Sequence, residues 1–444
     1  MMYNPQDLVD PVQYLGEQAK KAGIAYSVAA SLDVGFSVTA SQGLSETSEY
    51  LKEQSITLTV YDGTRTATVS STDASKQALI LLLEKAISMA RLTEPDLCAG
   101  LPPSALMATG YPDLDLSHAW ELSIEQAFDR ALSADRAAHA SHALVDQVEE
   151  SCVTSFHGHR AFANSLGFLG HYPVSMHGHS VSVVAQSNQA MERDFEYSYA
   201  RDPMHLLDPE LLGVIAAERA VKRLDAVQLA TQKAPVLFDA RVARSLIGHF
   251  IAAISGAAIY RNTSFLVDHL GQKIFPHFVT IGQQPHIQSG YNSRPFDAQG
   301  VVTTAIDYVS AGVLNHYVLG QYAANKLQMK TTGNAGGVFN LKVCATEVDL
   351  AALCRKMGTG LLVTELMGQG VDLLTGDYSR GAAGFWVENG VIAYPVEKVT
   401  VASNLKNMFA SIVAIADDAH ASANIQTGAI LLEEMTIAGS SAVE

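Results

Sequence analysis

GDYSRGAAGFWVENGVIAYPVEKVTVASNLKNMF, residues 376–409, carries the signals that decide the fold. Asn389-Gly390 sits between the runs FWVE and VIAYPV. Asn-Gly is a strong hairpin signal, because a tight turn that matches strand twist needs left-handed backbone at both central positions. The stretch therefore predicts two antiparallel strands, followed by a helix over 404–416. Short alternating runs upstream at 300–306, 337–343 and 360–364, and within the stretch at 384–387, predict strands. Residues 236–239 read as a strand leading into a helix over 240–254. Thr231-Gln232-Lys233-Ala234-Pro235 reads as a joint between domains.

The first half mixes helices and hairpins. A helix is predicted over 5–22, where Leu8, Val12, Leu15 and Ala19 recur at helical spacing. Strand-like runs follow at 24–31 and 33–40, and Asp62-Gly63 marks a hairpin between Ile56–Tyr61 and Thr64–Ser70. A helix over 73–91 has Asp73 as its expected cap. A Pro- and Gly-rich loop runs from 92 to 117. Ser123 and Gln126 form a capping box ahead of a helix to Ala138. Residues 151–200 read as antiparallel strands with turns at 164–167 and 187–188, and Asp208-Pro209 opens a helix to 224. Helices and hairpins without regular βαβ alternation predict an α+β fold with mixed and antiparallel sheets and flanking helices. Two domains are expected, 1–225 and 226–444, the second richer in strands.

Hydrophobic residues make up 48% of the 444, enough for large cores. The 45 acidic and 29 basic residues leave a formal charge of −16, with no clustered Lys/Arg surface of the kind that binds phosphate backbones. Nucleic-acid binding is therefore not expected. No run of about 18 apolar residues is present, so no membrane helix is expected. The opening MMYNPQDLVDPVQYL lacks the charge and apolar pattern of a secretory signal. Cys98, Cys152, Cys344 and Cys354 form no CxxC pair and read as reduced thiols, which places the expected setting in the cytoplasm.

The chain has no Walker A loop and no GxSxG elbow. None of its 15 histidines precedes Glu, so HExxH is impossible anywhere. Two HGH triplets, His157-Gly158-His159 and His177-Gly178-His179, flank His171. Residues two apart on a strand share a face. The cluster reads either as a metal site or as a polar sheet face without metal. His139, His142 and Asp146 read as an exposed helix surface or a weaker chelate. The Gly-rich stretches 358–361 and 375–390 suit packed turns, or a groove that takes a peptide by strand addition. Asp377, Tyr378, Ser379 and Arg380, with Asn334, are the candidate substrate-binding residues.

Residues 376–409 closely resemble the corresponding stretch of the TldD/PmbA metallopeptidase family, of the PmbA (TldE) type that also carries the label modulator of DNA gyrase. TTGNAGGVFNL (331–341), SRPFDAQGVVTTAIDYVSAGVL (293–314), SGAAIYRNTSFLVDHLGQKI (255–274), MERDFEYSYAR (191–201) and ANSLGF (163–168) fit the same pattern. The resemblance implies a heterodimer with a TldD-type subunit. That subunit carries an HExxxH helix and a distal cysteine that bind zinc. Aligned through Tyr260-Arg261, the corresponding positions here are Gly248, His249 and Ala253, and no cysteine follows Cys354. The implied role is a subunit without metal or cofactor of its own that shapes the chamber in which unfolded peptides are cleaved or matured. Two other readings stay open: a metallopeptidase with an unorthodox site at the HGH cluster, and a stand-alone peptide-binding or scaffold homodimer.

Overall fold

A computed structural model describes residues 4–439. The first six strands form one antiparallel sheet. They are β1 (Ala25–Ser41), β2 (Leu44–Asp62), β3 (Arg65–Ser71), β4 (Val145–Asn164), β5 (Leu169–Gln186) and β6 (Met191–Ala200), in the order β3-β2-β1-β4-β5-β6. One face of this sheet is covered at one end by α1 (Gln6–Lys21) and α2 (Lys76–Leu92), through Leu8, Val12, Leu15, Leu79 and Leu83. The other end of the same face is covered by α3 (Ile124–Ser141) and α4 (Pro209–Lys222), whose alanines pack on Val153, Val181 and Val183. The opposite face meets the second half of the chain, where Phe162, Phe168 and Tyr172 pack on Phe296 and Val301.

The second half opens with β7 (Gln232–Phe238), α5 (Ala240–Ala253) and α6 (Gly256–Tyr260). A small sheet follows from β8 (Ile281–Gln283), β9 (Ile306–Ser310), β10 (Val313–Leu314), β11 (Leu341–Val343) and a later short strand, with α7 (Gln321–Leu327) beside it. After α8 (Leu350–Met357) come β12 (Gly360–Met367), β13 (Asp377–Glu388), β14 (Val391–Asn404), α9 (Leu405–Ala410), β15 (Ile412–Ile415), β16 (Ile425–Gln426) and β17 (Ile430–Ala438). β14, β13, β12, β7 and β17 pair in that order, and Thr400–Ala402 pair again with Thr436–Ala438, so the ring of strands closes. α5 packs Ala243, Leu246, Ile247, Phe250 and Ala253 into the core of this half. Both α+β character and strand richness of the second half are as expected from sequence. Among the described residues no helix is long and apolar enough to cross a membrane.

The Asn389-Gly390 turn is present, with φ of 50° and 78°. The capping box on α3 is also present. Five readings are corrected. The runs 24–31 and 33–40 are one strand, because alternation continues through Asp33, which pairs with Arg160 away from the helices. Ser75 rather than Asp73 caps α2; Asp73 Oδ1 instead accepts from Ser75 N at 2.8 Å, and Ser75 Oγ from Ala78 N at 3.3 Å. The 231–235 stretch is largely the start of β7, an interior strand. Its Pro235 faces the register shift at Glu433-Glu434 of β17, where a missing N–H breaks no ladder. Residues 300–306 are mostly loop, pinned by isolated bridges at Val301 and Val302, and only Ile306 enters a strand. The helix expected to 416 stops at Ala410, because Ile412–Ile415 pair with Ile430–Leu432.

Candidate functional site

α5 starts at Asp239, whose carboxylate accepts from Arg241 N at 2.9 Å. Its apolar residues face the core, which leaves Arg241, Arg244 and Gly248, spaced by three and four, on one outward stripe. That stripe faces β6, the edge strand of the first sheet. The Arg241 guanidinium lies 5.1 Å from the Phe195 ring and binds Asp194 Oδ1 at 3.2 and 3.1 Å. The Arg244 guanidinium lies 5.8 Å from the Tyr197 ring and also donates to the Tyr197 hydroxyl. A Cβ on Gly248 would lie 3.8 Å from Ile425 Cδ1. Between β6, α5 and residues 422–425 lies a cleft of about 560 Å³, lined by Phe195, Tyr197, Tyr199, Arg244 and Tyr291 among others. The Phe195 and Tyr197 rings stack at 6.2 Å, and the Tyr197 and Tyr199 rings lie tilted to each other at 5.7 Å.

The free edge of β6 is closed by side chains rather than by a strand. Phe195 O accepts from Arg219 and Arg241, while Ser422 Oγ accepts from Tyr199 N and donates to Tyr199 O, both at 2.8 Å. Strand addition along this edge is therefore blocked at those positions. Aromatic faces and the guanidinium of Arg244 are what the cleft offers a ligand.

The structure brings together three residues that the sequence placed in two separate groups. The His249 ring meets the Tyr378 ring edge to face at 6.1 Å, and Arg380 acts on both. His249 Nε2 is buried without a hydrogen-bond partner, and burial, then Arg380, lowers its pKa. Burial pushes the Tyr378 phenol up to about 12. Arg380 itself donates to Gly368 O at 3.1 Å. Asp377 and Ser379 lie on the exposed side of β13, and Asp377 is held by Thr375 and Asn404. Asn334 is not on a groove. It is buried, accepts from Tyr308 Oη at 3.0 Å, and donates to Gln283 Oε1 and Gly337 O, both at 2.8 Å, so its amide is fully used.

Gly248, His249 and Ala253 do not converge. Gly248 lies beside Ile425, a residue of the cleft wall, His249 faces Tyr378, and Ala253 is fully buried in the core. Glycine and alanine offer no donor atom, so this donor set does not fit a zinc ion.

The HGH histidines sit on the helix-covered face of the first sheet, between the two helix pairs. Ser155 lies opposite His177 and Val153 opposite His179, so the two triplets are offset along the ladder. His177 Nδ1 is 3.0 Å from Ser155 Oγ and its Nε2 2.9 Å from His118 O, while His179 Nε2 is 3.0 Å from Ser151 Oγ. His159 Nε2 is 3.0 Å from His171 Nδ1, and the His157 and His177 rings lie 5.2 Å apart. His159, His177 and His179 thus form a buried polar layer, not the solvated surface considered from sequence, with His157 half-buried and His171 exposed at its margin. Among the described residues no three His, Cys, Asp or Glu side chains are grouped to hold a metal ion. The glycines of the triplets serve the opposite face. A Cβ at Gly178 would lie 2.1 Å from Tyr199 Cε1, and one at Gly158 would lie 2.2 Å from Asp33 Oδ1. The 139–146 reading also changes: α3 ends at Ser141, Asp146 lies in β4, and His139 Nδ1 meets Asp135 Oδ1 at 3.0 Å.

Tyr197, Arg244 and Tyr291 were not among the residues singled out from sequence. Their available signal was the alternation of acids and aromatics in MERDFEYSYAR, which puts Glu192, Asp194 and Glu196 on one side of β6 and three rings on the other.

Residues 231–439 match the model of the PmbA/TldA metallopeptidase C-terminal domain, and residues 117–224 that of the central domain. The chain is 43% identical over 412 residues to the metalloprotease PmbA of Escherichia coli O157:H7, covering 93% of this chain and 92% of that protein. It is 40% identical over 435 residues to a PmbA homolog of Haemophilus influenzae, covering 98% and 96%. A Thermotoga maritima structure, of a protein proposed to modulate a DNA gyrase, superposes with a TM-score of 0.86 at 25% identity over 97% of this chain and 99% of that one. TldE of Thermococcus kodakarensis shares the fold, with a TM-score of 0.85 at 18% identity over 97% and 100%. With these matches spanning almost its whole length, the chain belongs to the PmbA/TldD metallopeptidase family.

Proposed function

We propose that this chain is the PmbA/TldE-like, non-catalytic subunit of a TldD–TldE type metalloprotease that cleaves or matures unfolded peptides in the cytoplasm. The observation that carries this reading is the donor set of α5. Where the resemblance puts the partner's ligands and base, this chain has glycine, a half-buried histidine and a core alanine. A hydrolytic zinc site needs several ligands and a group to activate water. The TldD-type partner would supply that zinc. This chain would wall the chamber, exclude water and hold the peptide against the aromatic row of β6, and such positioning is worth orders of magnitude in rate. Aromatic faces bind side chains of many kinds, which suits substrates defined by being unfolded rather than by one sequence.

Hydrolysis of an unfolded peptide is measured with this chain alone, a TldD-type chain alone, and the mixture, with metal analysis of each. Activity in the mixture only is expected, with stoichiometric zinc confined to the partner. Full activity from this chain alone overturns the reading. A stable homodimer with no affinity for the partner favours a stand-alone binding protein instead.

A further inference from the structure

Three guanidinium groups converge on a cavity of about 240 Å³ between the C-terminal-facing side of β4 and β5 and the segment 291–294. They belong to Arg160, Arg201 and Arg294, in a chain whose overall charge is −16. Only one carboxylate lines the cavity: Asp33, 2.9 Å from Arg160 Nη2. Among the described residues neither Arg201 nor Arg294 lies within ion-pair distance of an acid. Arg201 is 7% exposed, and its donors go to neutral carbonyls: Gly290 O at 2.8 Å, Ser175 O at 3.1 Å and Tyr291 O at 3.0 Å. Arg294 donates to Tyr172 Oη at 3.3 Å, and its Nε is buried without a hydrogen-bond partner.

The nearest acid beyond the cavity does not fill the gap. Asp297 lines an adjoining cavity with Arg294, but both its oxygens are taken by backbone N–H groups: Gln299 N at 2.8 Å, Val301 N at 2.9 Å and Ala335 N at 2.9 Å. The electrostatic consequence is visible at Arg201, where burial and then repulsion from Arg294 press the pKa down to about 10. A buried cation without a counter-charge is costly, and an anion entering the cavity relieves that cost. Half-buried Arg160, Tyr291 and Asn292 line the cavity as well, so it reaches the surface. Tyr291 also lines the aromatic cleft beside β6, which makes the two spaces neighbours.

We propose that the cavity framed by Arg160, Arg201 and Arg294 is an anion site that takes a carboxylate of a bound peptide. The planar guanidinium fork matches a carboxylate, and an Nε–H without an acceptor is the donor such a ligand would fill. Shared lining by Tyr291 then places the rest of the peptide along the Phe195–Tyr197–Tyr199 row. That the anion belongs to a peptide rests on the subunit reading above; the anion site itself does not.

The test uses the whole chain without its partner, first unmutated and then with Arg294 substituted. Fluorescence anisotropy follows a labelled, unstructured heptapeptide free of acidic side chains, with its C-terminus as free acid or as amide. A third probe is amidated but carries one internal Glu. The free acid or the Glu peptide is expected to bind about tenfold or more tighter than the neutral amide, the worth of a hydrogen bond between charged groups. Which of the two does so identifies the carboxylate as terminal or side-chain. The advantage is expected to vanish in Arg294→Gln and to be partly kept in Arg294→Lys. Equal binding of all three peptides overturns the proposal, even where a variant fails to fold. Equal binding combined with displacement by inorganic phosphate overturns the carboxylate in favour of a phosphate ligand. Carboxyl-dependent binding in a chain that never supports hydrolysis with a partner would retain the site and sink the subunit reading.

Discussion

Buried histidines give this protein an acid-sensitive layer. Burial lowers the pKa of His177 to about 4 and that of His179 to about 3; Arg130 adds to the effect at His179, while at His177 the hydrogen bond to the His118 carbonyl and the charge of Asp202 oppose it and the His157 and His118 rings add to it. An unfolded histidine titrates near 6.5, so the folded state favours the neutral rings. Their contribution to stability is complete above about pH 6.5 and is lost as pH falls through that value toward the folded pKa values. Denaturant midpoints measured from pH 7.5 to 5 are expected to fall with pH, and His179→Gln is expected to flatten that slope. A slope unchanged by the substitution would remove the histidine layer from the explanation. The sequence marked these residues but not their state. Two HGH triplets can be read by eye, whereas the burial of His177 depends on His118 and Trp120 and that of His179 on α3, all distant in the chain.

At the scale of elements, β6 is the joint between the two halves. Asp194 is 4% exposed, binds Arg241 of α5 through both guanidinium nitrogens, and lies 3.4 Å from Arg223, just past the end of α4. Arg223 continues to Glu365 of β12 and to Glu192, 3.2 Å away, and Arg219 pairs with Glu196. Removing one member of a buried charge network strands the others. Asp194→Ala is expected to lower unfolding stability by about 3–5 kcal/mol, read from denaturant midpoints at constant slope. A loss below about 1 kcal/mol would mean that the network is solvated and idle. The alternating residues of 191–200 announced a strand with one acidic side. They could not announce that the arginines meeting those acids come from α4 and α5.

At the scale of the whole molecule, the closed ring of β14, β13, β12, β7 and β17 decides what α5 can do. It fixes the helix so that Ala253 lies in the core and Gly248 against Ile425. Gly248→His together with Ala253→His is therefore expected to leave the protein without stoichiometric zinc, and the second change to destabilise it by about 1–3 kcal/mol through overpacking. Metal analysis and thermal unfolding check both parts; one tight equivalent of zinc per chain would show that the helix can rearrange to restore a site.

Local signals were enough for the α+β class, the Asn389-Gly390 hairpin and the Ser123 capping box, because each depends on residue type and short spacing alone; that positions 248 and 253 stand where the partner has ligands comes from the family resemblance instead. The same signals extended the helix after Asn404 too far, since only pairing with β17 converts Ile412–Ile415 into a strand. They also left Asn334 looking like a ligand contact, although Gln283 and Tyr308, distant in the chain, use up its amide. The meeting of His249 with Tyr378, the aromatic cleft and the three-arginine cavity were decided by tertiary structure. Each joins residues tens to more than a hundred positions apart, and a chain's local preferences carry no record of which distant surfaces will face each other.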